Sequence, residues 1–233
     1  MTEFPGFRPS RASGKLAGRV WISMRTRVKI CGITRLEDAL AAADAGADAI
    51  GFVFEERSPR FIEPQQARAI ALALPPFLTT VGLFVDAPAE RIRRVLTEVP
   101  LGLLQFHGQE DPGECRQYGR PYLKAVHMRD GSESQRALRL YPDALALVFD
   151  AYSPEAAGGI GRRFDWRWLP QGLGRRLILA GGLTPENVAE AIREVRPFAV
   201  DVSSGVECSK GIKDAARIDA FMRSVTIASG GAR

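Results

Sequence analysis

From residue 27 onward, short apolar runs alternate with longer segments in which apolar residues recur every three or four positions. Short runs of this kind are typical of buried strands, and the longer periodicity is typical of amphipathic helices. The pattern predicts eight strands, over residues 28–31, 49–54, 79–85, 102–107, 122–126, 144–149, 177–180 and 199–202. It predicts helices over residues 36–45, 64–74, 88–98, 111–118, 132–140, 184–195 and 215–225, with a short helix after Asp165.

Several of the predicted helices begin with a recognisable start signal. Pro64 and Pro88 stand at first-turn positions, and Thr184 is a capping residue. Strict alternation of strand and helix indicates parallel strands with helices outside, and eight repeats in about 207 residues predict an α/β fold, a single (β/α)8 TIM barrel. The alternative is a doubly wound open sheet, which normally has a Gly-x-Gly-x-x-Gly turn that residues 31–36 lack.

Composition narrows the class of protein further. With 233 residues, 45% hydrophobic and 25% charged, the chain can bury one sizeable core. It has no run of the roughly 18 apolar residues that a membrane helix needs. Three cysteines without metal-type spacing, Cys31, Cys115 and Cys208, predict reduced thiols in the cytoplasm. The two histidines, His107 and His127, are too few and too far apart in sequence to predict a metal centre.

The net charge of +5 would suit a nucleic-acid-binding protein, but its location argues against that function. Residues 1–26 hold five basic side chains against Glu3, so the remainder of the chain is nearly neutral. The leading segment lacks the apolar region of a secretory signal, and its Arg-rich, acid-poor composition is only faintly like that of a transit peptide. We expect a disordered extension over residues 1–25 and a barrel domain over residues 26–233. Met24 leaves a second translation start open.

Candidate active-site residues stand at the ends of the predicted strands, because barrel active sites form at the carboxyl ends of strands. Cys31 ends the first strand and enters a Gly-containing turn, where a thiol can act in catalysis. Taken alone, an unpaired cysteine is more often a small buried core residue. Asp150 follows the sixth strand in the same way, so a carboxylate and a thiol are predicted at one end of the barrel.

Two turns after the seventh and eighth strands predict a phosphate site. Gly181 and Gly182 lead towards a predicted helix, and Ser203, Ser204 and Gly205 offer hydroxyl and backbone N–H groups. Barrels commonly bind phosphate between these two loops. Tight-turn geometry explains either turn alone, but the two together favour an anionic ligand.

Seven separated motifs resemble those of the phosphoribosylanthranilate isomerase family and occur in that family's order across residues 26–226. The motifs are KICGIT at residues 29–34, GADAIGFVF at 46–54, SPR at 58–60, QFHG at 105–108, FD at 149–150, AGGLTPEN at 180–187 and DVSSGVE at 201–207.

The resemblance implies an isomerase of tryptophan biosynthesis that acts on a small phosphosugar, N-(5-phosphoribosyl)anthranilate, by an Amadori rearrangement without metal or organic cofactor. By their positions in the motifs, Asp150 is implied as the general acid and Cys31 as the general base. Both need shifted pKa values, since free Asp is mostly ionised and free Cys mostly thiol at neutral pH. We expect burial to raise the pKa of Asp150, and loop N–H groups or a nearby cation to favour the Cys31 thiolate.

The resemblance also implies roles for other residues. Arg60 matches the residue that contacts the anthranilate carboxylate, and a planar guanidinium suits that planar anion; the alternative is a solvated loop arginine. His107 and Asp201 are possible pocket residues, although a histidine bonded to neighbouring backbone is an equal alternative. Gly159 is a further pocket candidate, but Ile160 stands where the family usually has Ser or Thr, which puts a contact of this loop in doubt.

Three other functions fit part of the sequence. A noncatalytic phosphosugar-binding barrel would keep the glycine and serine loops but has no reason to keep Cys31 together with Asp150. A nucleic-acid-binding protein needs basic charge on its folded part. A dual-substrate isomerase that also serves histidine synthesis would use paired aspartates, and Cys31 argues against it. We expect a cytoplasmic monomer or homodimer that binds neither nucleic acid nor membrane.

Overall fold

Eight parallel strands form a closed barrel in chain order, and pairing of the last strand with the first completes it. The computed structural model describes residues 25–151, 164–170 and 172–230. The strands are β1 Arg27–Cys31, β2 Ala49–Val53, β3 Thr79–Phe84, β4 Leu103–Phe106, β5 Tyr122–Met128, β6 Ala146–Ala151, β7 Leu177–Leu179 and β8 Ala199–Val202. The predicted (β/α)8 barrel is therefore confirmed, and closure excludes the open doubly wound sheet.

Helices connect the strands around the outside of the barrel. They are α1 Leu36–Asp44, α2 Pro64–Ala73, α3 Ala89–Glu98, α4 Pro112–Arg116, α5 Ser132–Leu140, α6 Val188–Val195 and α7 Ala215–Gly230. The short helix predicted after Asp165 is a 3₁₀ turn at Trp166–Trp168, and Asp165 caps it by accepting a hydrogen bond from the Arg167 N–H. No helix in the described ranges has the length and apolar character needed to cross a membrane.

Most predicted bounds agree with the structure to within two residues, and three differences are larger. Helix α6 begins four residues later than expected, because the Asn187 side chain accepts the Thr184 N–H and residues 184–187 form a turn. Helix α7 continues to Gly230. A hairpin was missed altogether: β9 Glu207–Ser209 pairs with β10 Ile212–Lys213 in the loop after β8. Its strands have only three and two residues, too short for any apolar alternation to show.

The alternation of side chains along each strand builds two cores and orients the site. Val28 and Ile30, on one face of β1, pack in the core between barrel and helices. Six fully buried phenylalanines belong to the same core, Phe52, Phe54, Phe84, Phe106, Phe149 and Phe221. Eight apolar residues that point inward from other strands form a smaller cluster, Val81, Leu123, Ala125, Ala146, Val148, Ile178, Ala180 and Ala199. Because side chains alternate with a period of two, Lys29 and Cys31 share the inward face of β1.

Candidate active site

A cavity of about 300 Å³ opens at the carboxyl ends of the strands. Side chains from both halves of the barrel line it, because the strand ends converge there. Of the residues predicted from sequence, it is lined by Cys31, Arg60, His107, Asp150, Gly181, Gly182, Asp201, Ser203 and Ser204. Gly205 does not line it, and Gly159 lies outside the described residues.

Cys31 is buried at the end of β1, with a charged pair directly beneath it. Lys29 Nζ lies 2.9 Å and 3.0 Å from the two carboxylate oxygens of Asp201, its register partner on β8. Burial raises the pKa of the Cys31 thiol above its ordinary value, while the positive charges of Lys29 and Lys213 oppose that rise. The predicted nearby cation is therefore present, but the effect of burial on the Cys31 pKa outweighs it.

Asp150 lies within β6, next to two histidines that also line the cavity. His107 Nε2 is 3.3 Å from Asp150 Oδ2, and its Nδ1 is 3.1 Å from the amide nitrogen of Gln105. With the amide donating to Nδ1, the ring proton is on Nε2 and points to the carboxylate. His127 Nε2 lies 2.9 Å from the backbone oxygen of His107, which holds the two rings edge to face.

The pKa of Asp150 moves opposite to the expected direction. Burial by itself favours the protonated carboxyl, as anticipated, but the hydrogen bond from His107 and the charges of both histidines outweigh it. The net result is a pKa below the ordinary value of an aspartate. The sequence alone does not show these effects, since His107 is 43 residues away along the chain and contacts Asp150 only in the folded barrel.

Arg60 is a buried, paired residue at the cavity wall, so the alternative of a solvated loop arginine is wrong. Its Nε and Nη2 lie 2.7 Å and 2.8 Å from the two carboxylate oxygens of Glu207. Lys213 Nζ contacts the same carboxylate at 2.8 Å. These two cations outweigh burial and lower the pKa of Glu207. The bidentate bond fixes the plane of the guanidinium beside the cavity.

The loops after β7 and β8 stand side by side as the sequence predicted. Gly181 and Gly182 adopt φ values of 82° and 65°, the left-handed region that glycine enters without strain. Ser203 Oγ donates to the Cys31 carbonyl oxygen at 3.0 Å, which ties the eighth loop to β1. Gly205 is buried against the main chain of Leu183, so it joins the two loops from behind instead of lining the cavity.

Replacement of Gly205 with alanine is expected to destabilise the fold, because the added methyl group would overlap the Leu183 carbonyl. Overpacking of this kind costs about 1–3 kcal/mol, or a fall in melting temperature of roughly 2–12 °C for a chain of this size. Thermal unfolding followed by circular dichroism measures it. Gly102→Ala is the matched control, since its methyl would have 3.5 Å to the nearest atom; equal melting of the two variants would contradict the packing argument.

Four functional candidates were not singled out from sequence: Lys29, Gln105, Glu207 and Lys213. Lys29 had a detectable signal, because a lysine two residues before a strand-end cysteine must share its face. The other two thiols lie elsewhere. Cys115 is in the outer core, where burial raises its pKa to about 12, and Cys208 is exposed on β9. In the described ranges, His, Cys, Asp and Glu form no group suited to a metal ion.

The fold and cavity define a (β/α)8-barrel enzyme with a thiol, a histidine-bound carboxylate and a buried arginine around one pocket. A family model described as N-(5'-phosphoribosyl)anthranilate isomerase matches residues 28–224. The chain belongs to this family and is an isomerase of tryptophan biosynthesis, so the sequence resemblance is confirmed.

Individual relatives agree with the family model. The N-(5'-phosphoribosyl)anthranilate isomerase of Nitrosococcus oceani is 56% identical over 202 residues, which are 87% of this chain and 98% of that protein. The Thermus thermophilus phosphoribosylanthranilate isomerase structure is 42% identical with a TM-score of 0.78, covering 86% of this chain and 98% of its own. A second structure, 41% identical with a TM-score of 0.74 and the same coverage, is a phosphoribosylanthranilate isomerase in complex with reduced 1-(o-carboxyphenylamino)-1-deoxyribulose 5-phosphate.

Proposed function

We propose that this protein converts N-(5-phosphoribosyl)anthranilate into 1-(2-carboxyphenylamino)-1-deoxy-D-ribulose 5-phosphate, with Asp150 as general acid and Cys31 as general base. The observation that carries the proposal is that a thiol on β1 and a carboxylate on β6 line one cavity beside two small-residue loops. The reaction needs one group that gives a proton and another that takes one. Loss of the intrinsic fluorescence of phosphoribosylanthranilate upon addition of purified protein tests it directly.

The acid step opens the furanose ring. A proton moves from the Asp150 carboxyl to the ring oxygen while the C1–O bond breaks, and the anilino nitrogen supplies its lone pair to form the C1=N bond. His107, 3.3 Å from the carboxylate, is placed to return a proton to Asp150 afterwards. Because the pKa of Asp150 is lowered, the protonated form is a minor one in the free enzyme.

The base step removes the proton from sugar C2. The Cys31 thiolate takes that proton, the C2–H electrons form a C1=C2 double bond, and the C=N electrons return to nitrogen to give an enolamine. Ketonisation of the enolamine gives the product. Because the pKa of Cys31 is raised, its thiolate is also a minor form. The productive state has Asp150 protonated and Cys31 ionised. It is therefore less populated than the state with an ionised Asp150 and a neutral Cys31 thiol.

The two ends of the substrate are assigned by charge. The loops at Gly181–Gly182 and Ser203–Ser204 hold the phosphate, as their glycines and hydroxyls suit an anion, and Gly205 keeps the loops together. Arg60 binds the anthranilate carboxylate. Its guanidinium is held at the cavity wall by Glu207, whose carboxylate Lys213 also contacts. The relative bound to a reduced product analogue supports a ligand with both anionic ends.

Arg60→Ala is expected to weaken substrate binding more than it slows chemistry. The anthranilate carboxylate keeps its charge from ground state to transition state, so the arginine contributes equally to both. Loss of a charge-assisted hydrogen bond costs about 1.5–3 kcal/mol, which predicts a rise in KM of roughly 10- to 150-fold with little change in kcat. Steady-state kinetics measures both constants.

Arg94→Ala is the matched control for Arg60, because Arg94 is mostly exposed and pairs with Glu98 on α3, and neither residue lines the cavity. It should leave both constants near the parent values. Inhibition by inorganic phosphate should persist in the Arg60 variant, because the phosphate loops are intact. If Arg60→Ala instead abolished phosphate inhibition and left KM unchanged, the two ends of the substrate would be reversed.

A noncatalytic phosphosugar-binding barrel is distinguished by the same assay. Such a protein would bind the reduced product analogue without consuming phosphoribosylanthranilate. Binding without turnover would therefore contradict the proposed reaction, and only the proposal of a phosphate-binding site would be retained.

A further inference from the structure

A buried ion pair lies immediately beneath the thiol that the proposed mechanism uses. Lys29 and Asp201 are register partners on β1 and β8, and their side chains are only 6% and 7% exposed. Asp201 accepts from the Lys29 ammonium group through both carboxylate oxygens. The pair occupies the barrel interior, whose other inward residues include an apolar cluster.

Stability alone does not account for such a pair. Two desolvated charges gain little over well-packed apolar residues of similar volume, so a buried ion pair is weak support for the fold. A second pair, Lys124 with Glu110, shows what a structural role looks like: Lys124 also donates to the carbonyl oxygens of Phe106 and Gly108, and Glu110 accepts the Gly108 N–H. That pair holds a loop together, whereas Lys29 and Asp201 join two strands that the barrel ladder already joins.

The geometry instead directs Lys29 towards Cys31. Both side chains point inward from β1, and Gly51 on β2 lies opposite Cys31 in the register. A methyl group at Gly51 would be 2.9 Å from Cys31 Sγ and 3.0 Å from Lys29 Nζ. The sulfur and the ammonium group therefore border the same small space, which exists because residue 51 has no side chain.

We propose that Lys29, held by Asp201, is a positioning residue that stabilises the Cys31 thiolate. This inference rests on the proposed role of Cys31 as general base. When the thiolate takes the C2 proton it becomes a neutral thiol, while Lys29 stays protonated and keeps its bond to Asp201. Lys29 contacts neither the substrate nor the transferred proton. Its positive charge lowers the free energy of the ionised sulfur in a desolvated site.

The charges around Cys31 come from four elements. Lys29 on β1 and Lys213 on β10 favour the thiolate, and Asp201 on β8 disfavours it. Arg60, in the loop after β2, also lies within range of the sulfur charge. Of these charges, that of Lys29 opposes the effect of burial on Cys31 most strongly. Removal of the Lys29–Asp201 pair should therefore raise the pKa of Cys31 further, whereas removal of Asp201 alone should lower it.

The test is the pH dependence of Cys31 alkylation by iodoacetamide, read by peptide mapping so that each cysteine is followed separately. The double variant Lys29→Gln/Asp201→Asn keeps a hydrogen-bonded pair of similar shape without charge. Its Cys31 midpoint should rise by about one unit or more, so alkylation at a fixed pH below the midpoint should fall roughly tenfold. Exposed Cys208 should react as in the parent, which controls for the reagent.

Turnover gives an independent reading. The productive state has Asp150 protonated and Cys31 ionised. A plot of kcat/KM against pH should therefore have a plateau between the two pKa values, and the value of kcat/KM on that plateau depends on the difference between them. In the double variant this level should fall about tenfold, and the alkaline limb, which reports Cys31, should move to higher pH. A purely structural pair would move neither the limb nor the alkylation midpoint.

The matched control is Lys124→Gln/Glu110→Gln, a buried pair of similar exposure that does not line the cavity. Its Cys31 midpoint should stay at the parent value. A folded Lys29→Gln/Asp201→Asn variant with a midpoint within about 0.3 unit of the parent would overturn the proposal. If that variant does not fold, the apolar replacement Lys29→Met/Asp201→Leu decides: a higher midpoint supports the proposal, and an unchanged or lower one overturns it.

The alkylation test separates this inference from the proposed function. It measures the ionisation of the thiol and involves no turnover. If Cys31→Ala is inactive but the alkylation midpoint of the double variant is unshifted, the proposed role of Lys29 is contradicted. The proposed reaction and its general base are then unaffected. A fully active Cys31→Ala variant would instead contradict the assignment of Cys31 as general base.

Discussion

Cys31→Ala is expected to lower kcat by roughly 10²- to 10⁴-fold, the usual contribution of a positioned general base. Without the thiolate, water is the base available at C2, and water is far less basic. Alanine also shortens the side chain in a site where Cys31 is buried, so little of the surrounding structure has to move. Single-turnover fluorescence kinetics measures the chemical step without interference from product release.

The binding of a product-like ligand should remain intact in this variant. Reduced 1-(o-carboxyphenylamino)-1-deoxyribulose 5-phosphate, the ligand of one relative, is the suitable probe because it carries both anionic ends. Cys208→Ser is the matched control, since that thiol is exposed on β9 and does not line the cavity. Near-parent turnover in Cys31→Ala, or a collapse in folded Cys208→Ser, would show that the wrong thiol was chosen.

Asp150→Asn is expected to lower kcat by a similar factor, about 10²- to 10⁴-fold, because it removes the general acid. The amide has nearly the same shape and can still accept the hydrogen bond from His107, but it has no acidic proton for the ring oxygen. The limb of the pH profile that reports Asp150 should also disappear. In the parent enzyme this is the acid limb, because the pKa of Asp150 is lowered and that of Cys31 is raised. Below the pKa of Asp150 that residue is already protonated, so kcat/KM falls with pH as the ionised fraction of Cys31 decreases.

Asp165→Asn serves as the control for Asp150. Asp165 caps a surface 3₁₀ turn and pairs with Arg167, and it does not line the cavity. Its replacement should leave kcat near the parent value. An Asp150→Asn enzyme that retained parent-level ring opening would transfer the acid role to another group, of which His107 is the one in contact.

The architecture could be predicted from sequence because it depends on local patterns. Eight apolar runs, each followed by an amphipathic segment, are consistent with few arrangements other than a closed parallel barrel. Once the barrel is predicted, the strand ends follow, and with them the approximate places of Cys31, Asp150 and the two phosphate loops. The resemblance added the reaction and the role of each residue, which periodicity alone does not contain.

What only the tertiary structure decided is how distant residues meet. Lys29 and Asp201 are 172 positions apart and form a pair solely because β8 closes against β1. Arg60 reaches Glu207 across 147 positions through a hairpin too short to leave a sequence pattern. The direction of each pKa depends on such neighbours, since desolvation and charge at a few ångströms are properties of the packed site. Sequence determined which groups stand at the mouth of the barrel, and the fold determined which of them are charged partners.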